Sequence, residues 1–231
     1  MTQGCLIVVT GTGTEIGKTH VSESLLVALG REGLGVAGLK PVESGVGPGG
    51  LSDADRLSRA STFHVKRFTV GLRAPVSPHL AARIEGVHVD LDLLRSAVRS
   101  VLGAADAVLV ELPGGLFTPL TDDVLNVDFA RSLAPDLTLL VAPDRLGVLH
   151  DVLATSTAAT SNGLRLDALV LVEPASHDAS TGTNAAELRR LSRIPVVVTL
   201  PRGGAETVAG SPAIRLMARL VRSSSRDPAP A

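Results

Sequence analysis

Short apolar runs alternate along this chain with longer stretches in which apolar residues return every three or four positions. The first run, CLIVVT at 5–10, is apolar from Cys5 to Val9 with no alternating polar residue, the pattern of a strand buried on both faces. Behind it, Lys18–Leu29 sets Val21, Leu25, Leu26 and Leu29 on one side of a predicted helix. A second strand is expected at 35–41, stopped by Pro41, and Asp90 stands as the N-cap of a helix carrying Leu91, Leu94, Val98, Val101 and Leu102. Four further β-rich runs follow at 107–112, 137–143, 167–173 and 194–201, with helical stretches at 123–134, 147–161, 183–192 and finally 206–220. Strands and helices in alternation predict an α/β fold, a mostly parallel sheet with helices on both faces, built as a single domain over residues 1–221. The end, RSSSRDPAPA at 222–231, has the composition of a disordered tail, and SGVGPGGLSD at 44–53 reads as a mobile loop.

Composition narrows the function. The 231 residues carry a formal net charge of −1 and 2% aromatics, with no Trp and no Tyr. That argues against a polyanion-binding surface and against base-stacking platforms, so no nucleic-acid partner is expected. A single cysteine, Cys5, excludes an internal disulfide or a cysteine metal cage and reads as a buried strand residue. The apolar run at the N-terminus lacks a basic flank and stops at Thr10-Gly11, too short for a signal peptide or a membrane span. A cytoplasmic protein is expected, without a membrane partner.

The chemistry begins at VVTGTGTEIGKTH, residues 8–20, between the first strand and the first helix. In open parallel sheets ligands bind beyond the carboxyl ends of the strands. Loop amides and the positive end of a helix favour phosphate oxygens there. Lys18 is expected against the β- and γ-phosphates of a nucleotide, and the Thr19 hydroxyl on Mg²⁺. The strict G-x-x-x-x-G-K-[ST] pattern wants glycine at 12, where this chain has Thr12 after Gly11; a loop one residue longer is implied.

GTGTEIGKT, then LKPVESG, SPHLAARIEG and GGLFTPL, in that order and spacing, resemble dethiobiotin synthetase along about 200 residues. Partition-type ATPases carry an early lysine where Thr12 stands, which separates this chain from them. The resemblance implies ATP and Mg²⁺ as cofactors, with 7,8-diaminopelargonate and CO₂ as substrates. It also implies a homodimer whose active site is shared, with the helix after Gly147 as the contact region. Lys18 and Lys40 would face the phosphates as catalytic cations; Thr14 and Ser44 would hydrogen-bond the carbamate or the diamine. The implied metal positions are Thr19, Asp53 and Glu111, with Asp55 the rival of Asp53 by a two-residue slip. A carboxylate ending the apolar strand AVLVE is costly unless paired or metal-bound. Further nucleotide contacts are implied for Gly13, Glu15, Ile16, Gly17, His20, Gly114, Val172, Glu173, Pro201, Arg202 and Gly203.

His79 matches the family too, though its residue-level reading is a helix first-turn residue satisfied by a backbone group. His150 reads as a helix-face residue. Neither histidine has a second ligand at metal spacing, which excludes a zinc site. Three departures stand out. ELPGG at 111–115 replaces a run of small residues, with Leu112 expected to fill space near the phosphates and Pro113 removing an amide donor. Val172 stands near an asparagine that reads adenine in relatives, and valine cannot make those bonds, so base selectivity is expected to relax. His150 replaces a frequent asparagine. The alternative these departures leave is a catalytically impaired nucleotide-binding paralogue with a regulatory or scaffold role.

Overall fold

The computed structural model describes residues 4–47, 49–65 and 68–224. Its main sheet has six parallel strands: β1 (Cys5–Gly11), β2 (Val36–Leu39), β5 (Ala107–Glu111), β6 (Leu137–Pro143), β7 (Ala168–Val172) and β8 (Val196–Leu200), in the order β2-β5-β1-β6-β7-β8. Two short strands, β3 (Val42–Ser44) and β4 (Val70–Leu72), form a separate parallel pair. The chain leaves β1 for the far strand β2, returns through β5 and crosses β1 again to β6. The strand order therefore reverses at β1, where a crevice opens at the carboxyl ends.

Alternation along β1 explains the two cores. Leu6 and Val8 point to one face, where α4 (Leu91–Leu102), α5 (Asn126–Leu133), α6 (Val148–Ser161) and α7 (Asn184–Leu191) bury Leu94, Val98, Phe129, Val152 and Leu188. Cys5, Ile7 and Val9 point to the other, packed by Val21, Leu25 and Leu29 of α1 (Lys18–Arg31) and by Ile214, Met217 and Val221 of α9 (Pro212–Ser224). Each such buried aliphatic chain contributes about 1.5–3 kcal/mol, so a β1 with polar residues on either face would lose one of its two layers. Cys5 is fully buried, and the Asp90 carboxylate caps α4 by accepting from the Leu93 amide at 2.9 Å.

Three expectations change. The end of the 44–53 segment is fixed: Ser52 and Asp55 form a capping box that starts α2 (Asp53–Ala60), so Asp53 belongs to a helix; Pro48 lies outside the described residues. The last helix divides into α8 (Ala205–Val208) and α9, because Pro212 cannot donate into a preceding turn. And α9 runs to Ser224, with Arg222 paired to Glu32 at 2.6 Å, so 222–224 continue the helix. Residues 225–231 of the expected tail lie outside the described residues. The remaining short helix, α3 (Pro78–Glu85), packs beside β3 and β4. No helix among the described residues is long and apolar enough to cross a membrane.

Candidate active site

The loop between β1 and α1 turns on Gly17, the N-cap of α1, at φ +95°. Only glycine fits: the angle is left-handed, and a Cβ there would come 2.9 Å from a methyl of Val172. Glu15 holds φ +55° inside the loop without glycine's freedom, a strained position of the kind found at ligand loops. No side chain caps α1, which leaves its first amides available to an anion. The Lys18 ammonium folds back over the loop and donates to the Gly13 carbonyl at 2.7 Å.

Below the loop lies a buried ionic cluster. Glu111 ends β5 with no exposure at all. Its Oε1 accepts from the Thr19 hydroxyl and from the Lys40 ammonium, both at 2.8 Å, and its Oε2 from the Ser22 hydroxyl at 2.7 Å. Lys40, just past β2, also pairs with Asp53. Asp53 is placed by Glu43 of β3, whose carboxylate accepts from the Asp53 and Ala54 amides at 2.7 and 3.1 Å. This settles which aspartate faces the cluster. Asp55 spends its carboxylate on Ser52, whereas Asp53 turns to Lys40. Arg56, held by Glu23 at 2.5 Å, adds positive charge 3.7 Å from Asp53.

Burial pulls both lysines down, and the outcome differs. Lys18 falls to about 8, because desolvation and the neighbouring Lys40 charge outweigh Glu111. Lys40 is also desolvated, yet Glu111 and Asp53 hold it above the ordinary lysine value. Burial raises Asp53, but Lys40, with help from Thr19 and Arg56, keeps it below the usual carboxylate range. Among the described residues no three His, Cys, Asp or Glu side chains gather as in a protein-only metal cage. A hydroxyl and two carboxylates around one ammonium are instead the hard oxygen set that suits Mg²⁺ arriving with a phosphate and keeping several waters. Thr19, Asp53 and Glu111 thus fit that ion.

Three cavities meet at Thr14 and Glu15. The first, about 640 Å³, holds the ionic cluster together with Ile16, Gly17, His20, Ser44 and Gly114. The second, about 630 Å³, runs from Gly17 to Val172, Glu173, Arg202 and Gly203. The third, about 840 Å³, is lined by Gly13, Ser44, Ser77, Pro113, Gly114 and Thr155 among others. Pro201 lines none of these three; its carbonyl lies 3.0 Å from the His20 ring. Glu173 accepts from the Arg202 amide at 3.1 Å and sits 2.9 Å from His177.

Two sequence expectations are corrected. The Leu112 side chain is buried in the core beneath β5, because alternation along the strand turns it away from Glu111; it does not crowd the first cavity, although Pro113 does line it. The His79 ring finds the Ser77 hydroxyl at 3.0 Å rather than a backbone group, since a ring on the first turn of α3 reaches back to the N-cap residue. His150 is exposed on α6 and lines none of the three cavities. Three residues escaped the sequence reading. Ser22 follows Lys18 by one helical turn, a spacing that signals a shared face. Glu43 lies inside the quoted KPVESG. Asn126, fully buried beneath the 113–115 loop, left no local signal.

The model of an AAA domain family matches residues 6–205. An ATP-dependent dethiobiotin synthetase BioD from Rhodopirellula baltica is 41% identical over 217 residues, covering 84% of this chain and 83% of the relative. One of the same name from Ralstonia nicotianae is 39% identical over 201 residues, covering 84% and 87%. Among solved structures, the septum site-determining protein MinD from Pyrococcus horikoshii, complexed with Mg-ADP, superposes with a TM-score of 0.58 at 17% identity over 95% of each chain, a likeness of fold. Relatives at this identity, matched along most of their own length, show that the chain belongs to the dethiobiotin synthetase family.

Proposed function

We propose that this chain is an ATP- and Mg²⁺-dependent cyclo-ligase of biotin synthesis, which converts 7,8-diaminopelargonate and CO₂ to dethiobiotin in the cytosol. One amine takes up CO₂ as a carbamate and releases a proton. A carbamate oxygen attacks the terminal phosphorus of ATP; the new O–P bond forms as the bond to ADP breaks, giving a carbamic-phosphoric anhydride. The second amine attacks the carbonyl carbon, loses a proton and expels inorganic phosphate as the cyclic urea closes.

Such a sequence is mostly positioning and charge stabilisation, because little covalent work is asked of the protein. Lys18 and the amides opening α1 cradle the phosphates. Lys40 neutralises the oxygens between the phosphate and the carbamate, while Thr14 and Ser44 orient the diamine. Mg²⁺, held through Thr19, Asp53 and Glu111, would supply charge neutralisation at the phosphate oxygens. The nucleotide base would lie along Gly17, Val172, Glu173, Arg202 and Gly203, with Gly13, Ile16, His20, Gly114 and Pro201 completing the walls. The third cavity reaches Thr155 of α6, and Leu146 just before that helix is 77% exposed, which supports a homodimer closing the diamine pocket across α6.

The carrying observation is the meeting of three cavities at Thr14 and Glu15, with both lysines in the first and Ser44 shared between the first and third. The test is phosphate release by purified protein with Mg²⁺, bicarbonate, ATP and diaminopelargonate, with dethiobiotin identified by mass. Turnover that depends on the diamine is expected. Release no greater than that of Lys18→Ala would overturn the reading.

A further inference from the structure

Asn126 opens α5 as a fully buried residue whose amide nitrogen donates twice, to the Pro113 carbonyl at 2.5 Å and the Gly115 carbonyl at 2.7 Å. Two carbonyl partners leave no choice of amide orientation, since only the NH₂ group can donate. Its Oδ1 is then left buried without a partner. A buried polar atom in that state is costly, and an apolar residue would avoid the cost. Something in the loop above requires the two donated bonds.

The direction of the loop peptides supplies the reason. All described peptides are trans, and in a trans peptide the N–H points opposite to the carbonyl it shares a plane with. At Gly115–Leu116 this is visible directly: the carbonyl faces Asn126, and the Leu116 N–H faces away to the Gly11 carbonyl of β1 at 2.9 Å. At Pro113–Gly114 the carbonyl also faces Asn126, so the Gly114 N–H points the same way, over the loop that follows β1. Pro113 has no N–H and Gly115 donates to the Thr118 hydroxyl at 2.9 Å, which leaves Gly114 as the free donor of this loop. Gly114 lines both the first and the third cavity.

We propose that Asn126 is a positioning residue: its amide holds the Pro113–Gly114 peptide so that the Gly114 N–H faces the phosphoryl group in transfer between the nucleotide and its acceptor. The inference rests on the assignment of the first cavity to the terminal phosphate. It answers the loss of an amide at Pro113, because the remaining donor is held in one direction by a side chain from beneath.

The test compares Mg–ADP with Mg–ADP–aluminium fluoride, a mimic of the transferring phosphoryl, by calorimetry on the full chain. Asn126→Asp, which keeps the shape and turns an acceptor toward both carbonyls, should bind ADP within about twofold of the parent and the fluoride complex about tenfold or more weakly. Equal weakening of both ligands, or of neither, overturns the proposal. Should that variant not fold, the parent protein decides. Labelling with ¹³C-carbonyl proline and ¹⁵N-glycine marks two pairs, Pro48–Gly49 and Pro113–Gly114, and the Gly114 amide should shift between the ADP and fluoride complexes; no shift overturns the proposal. Neither measurement needs the diamine, so a parent that binds the fluoride complex yet makes no dethiobiotin refutes the reaction and leaves this inference standing. A parent that binds no Mg–ADP refutes both.

Discussion

The two ends of the crevice, one proposed for the phosphates and the other for the base, are built on different principles. At the phosphate end, Thr19, Lys40, Asp53 and Glu111, from four separate segments, are tied to one another by side-chain bonds, Lys18 reaches back to the Gly13 carbonyl, and Glu43 ties Asp53 to the strand that carries Ser44. At the base end, Val172 packs its methyls against the backbone of Gly17, and the polar atoms of Glu173 are engaged by His177 and Arg202. One end is organised by charges paired with one another. The other offers shape, backbone and a few already-satisfied groups. Catalysis should therefore be sensitive to single atoms at the first end and tolerant at the second.

The largest effect is expected at Lys40. Lys40→Met leaves fully buried Glu111 with only the Thr19 and Ser22 hydroxyls and leaves Asp53 facing it. Turnover should fall roughly 10²–10³-fold, and breaking the buried pair should cost about 3 kcal/mol in the nucleotide-free protein. Mg²⁺ should raise the Tm of this variant more than that of the parent, because the ion replaces the missing cation. Equal Tm and equal response to Mg²⁺ would place the ammonium outside the cluster's electrostatics and remove the contrast between the two ends.

Glu43 comes next. Glu43→Ala removes the acceptor from two amides at the start of α2, a loss of about 1 kcal/mol as for other helix caps. The sharper consequence is a looser Asp53: half-activation should need several times more Mg²⁺, by an order-of-magnitude argument from loss of outer-shell support, while Glu43→Gln recovers part of it. A fall in Tm with no change in the Mg²⁺ requirement would make Glu43 a cap and nothing more.

These two residues also mark how far the sequence could be read. Lys18, Thr19 and Glu111 were legible because each sits at a fixed offset from a strand end, and strand ends show in the apolar pattern. The Asp53–Asp55 choice was not legible, since both lie on the polar side of one short helix and only the capping box separates them. Leu112 was misjudged although the signal was there: with Glu111 turned to the site, strand alternation sends its neighbour to the opposite face and into the core. Asn126 was silent: an asparagine ahead of an apolar helix looks like a cap, and its partners are carbonyls more than ten residues upstream. The small β3–β4 pair was missed because three-residue strands carry no period.

Proton linkage comes next, and it separates the two lysines of the phosphate end. Lys18 titrates at about 8 in the folded chain against an ordinary 10.5. Between those values the unfolded chain holds a proton that the folded chain has released, so this group makes the nucleotide-free protein more stable as pH rises through that window. Lys40, shifted the other way, contributes stability that is intact below its ordinary value and is lost only above it. A bound diphosphate, placing negative oxygens beside the ammonium, should restore the Lys18 charge. Mg–ADP binding near pH 8.5 should therefore take up a fraction of a proton, read by calorimetry in two buffers of different ionisation heat. Uptake of none would mean that Lys18 is already fully charged in the empty crevice.

The smallest effect is expected at Val172. Its side chain faces Gly17, and a Cβ on that glycine would lie 2.9 Å from a Val172 methyl, so valine supports the loop rather than reading a base edge. Hydrophobic contacts discriminate poorly between polar edges. ATP, GTP and CTP should then support turnover within about tenfold of one another in kcat/KM, since no hydrogen-bonding side chain at this position penalises the wrong base. Val172→Ala should raise KM for all three together, by a factor of about two to five, because the loss of one packed side chain loosens the loop without touching base choice. A preference for ATP greater than a hundredfold in the parent, abolished in the alanine variant, would show the base end to be as exacting as the phosphate end, through backbone groups that Val172 holds in place.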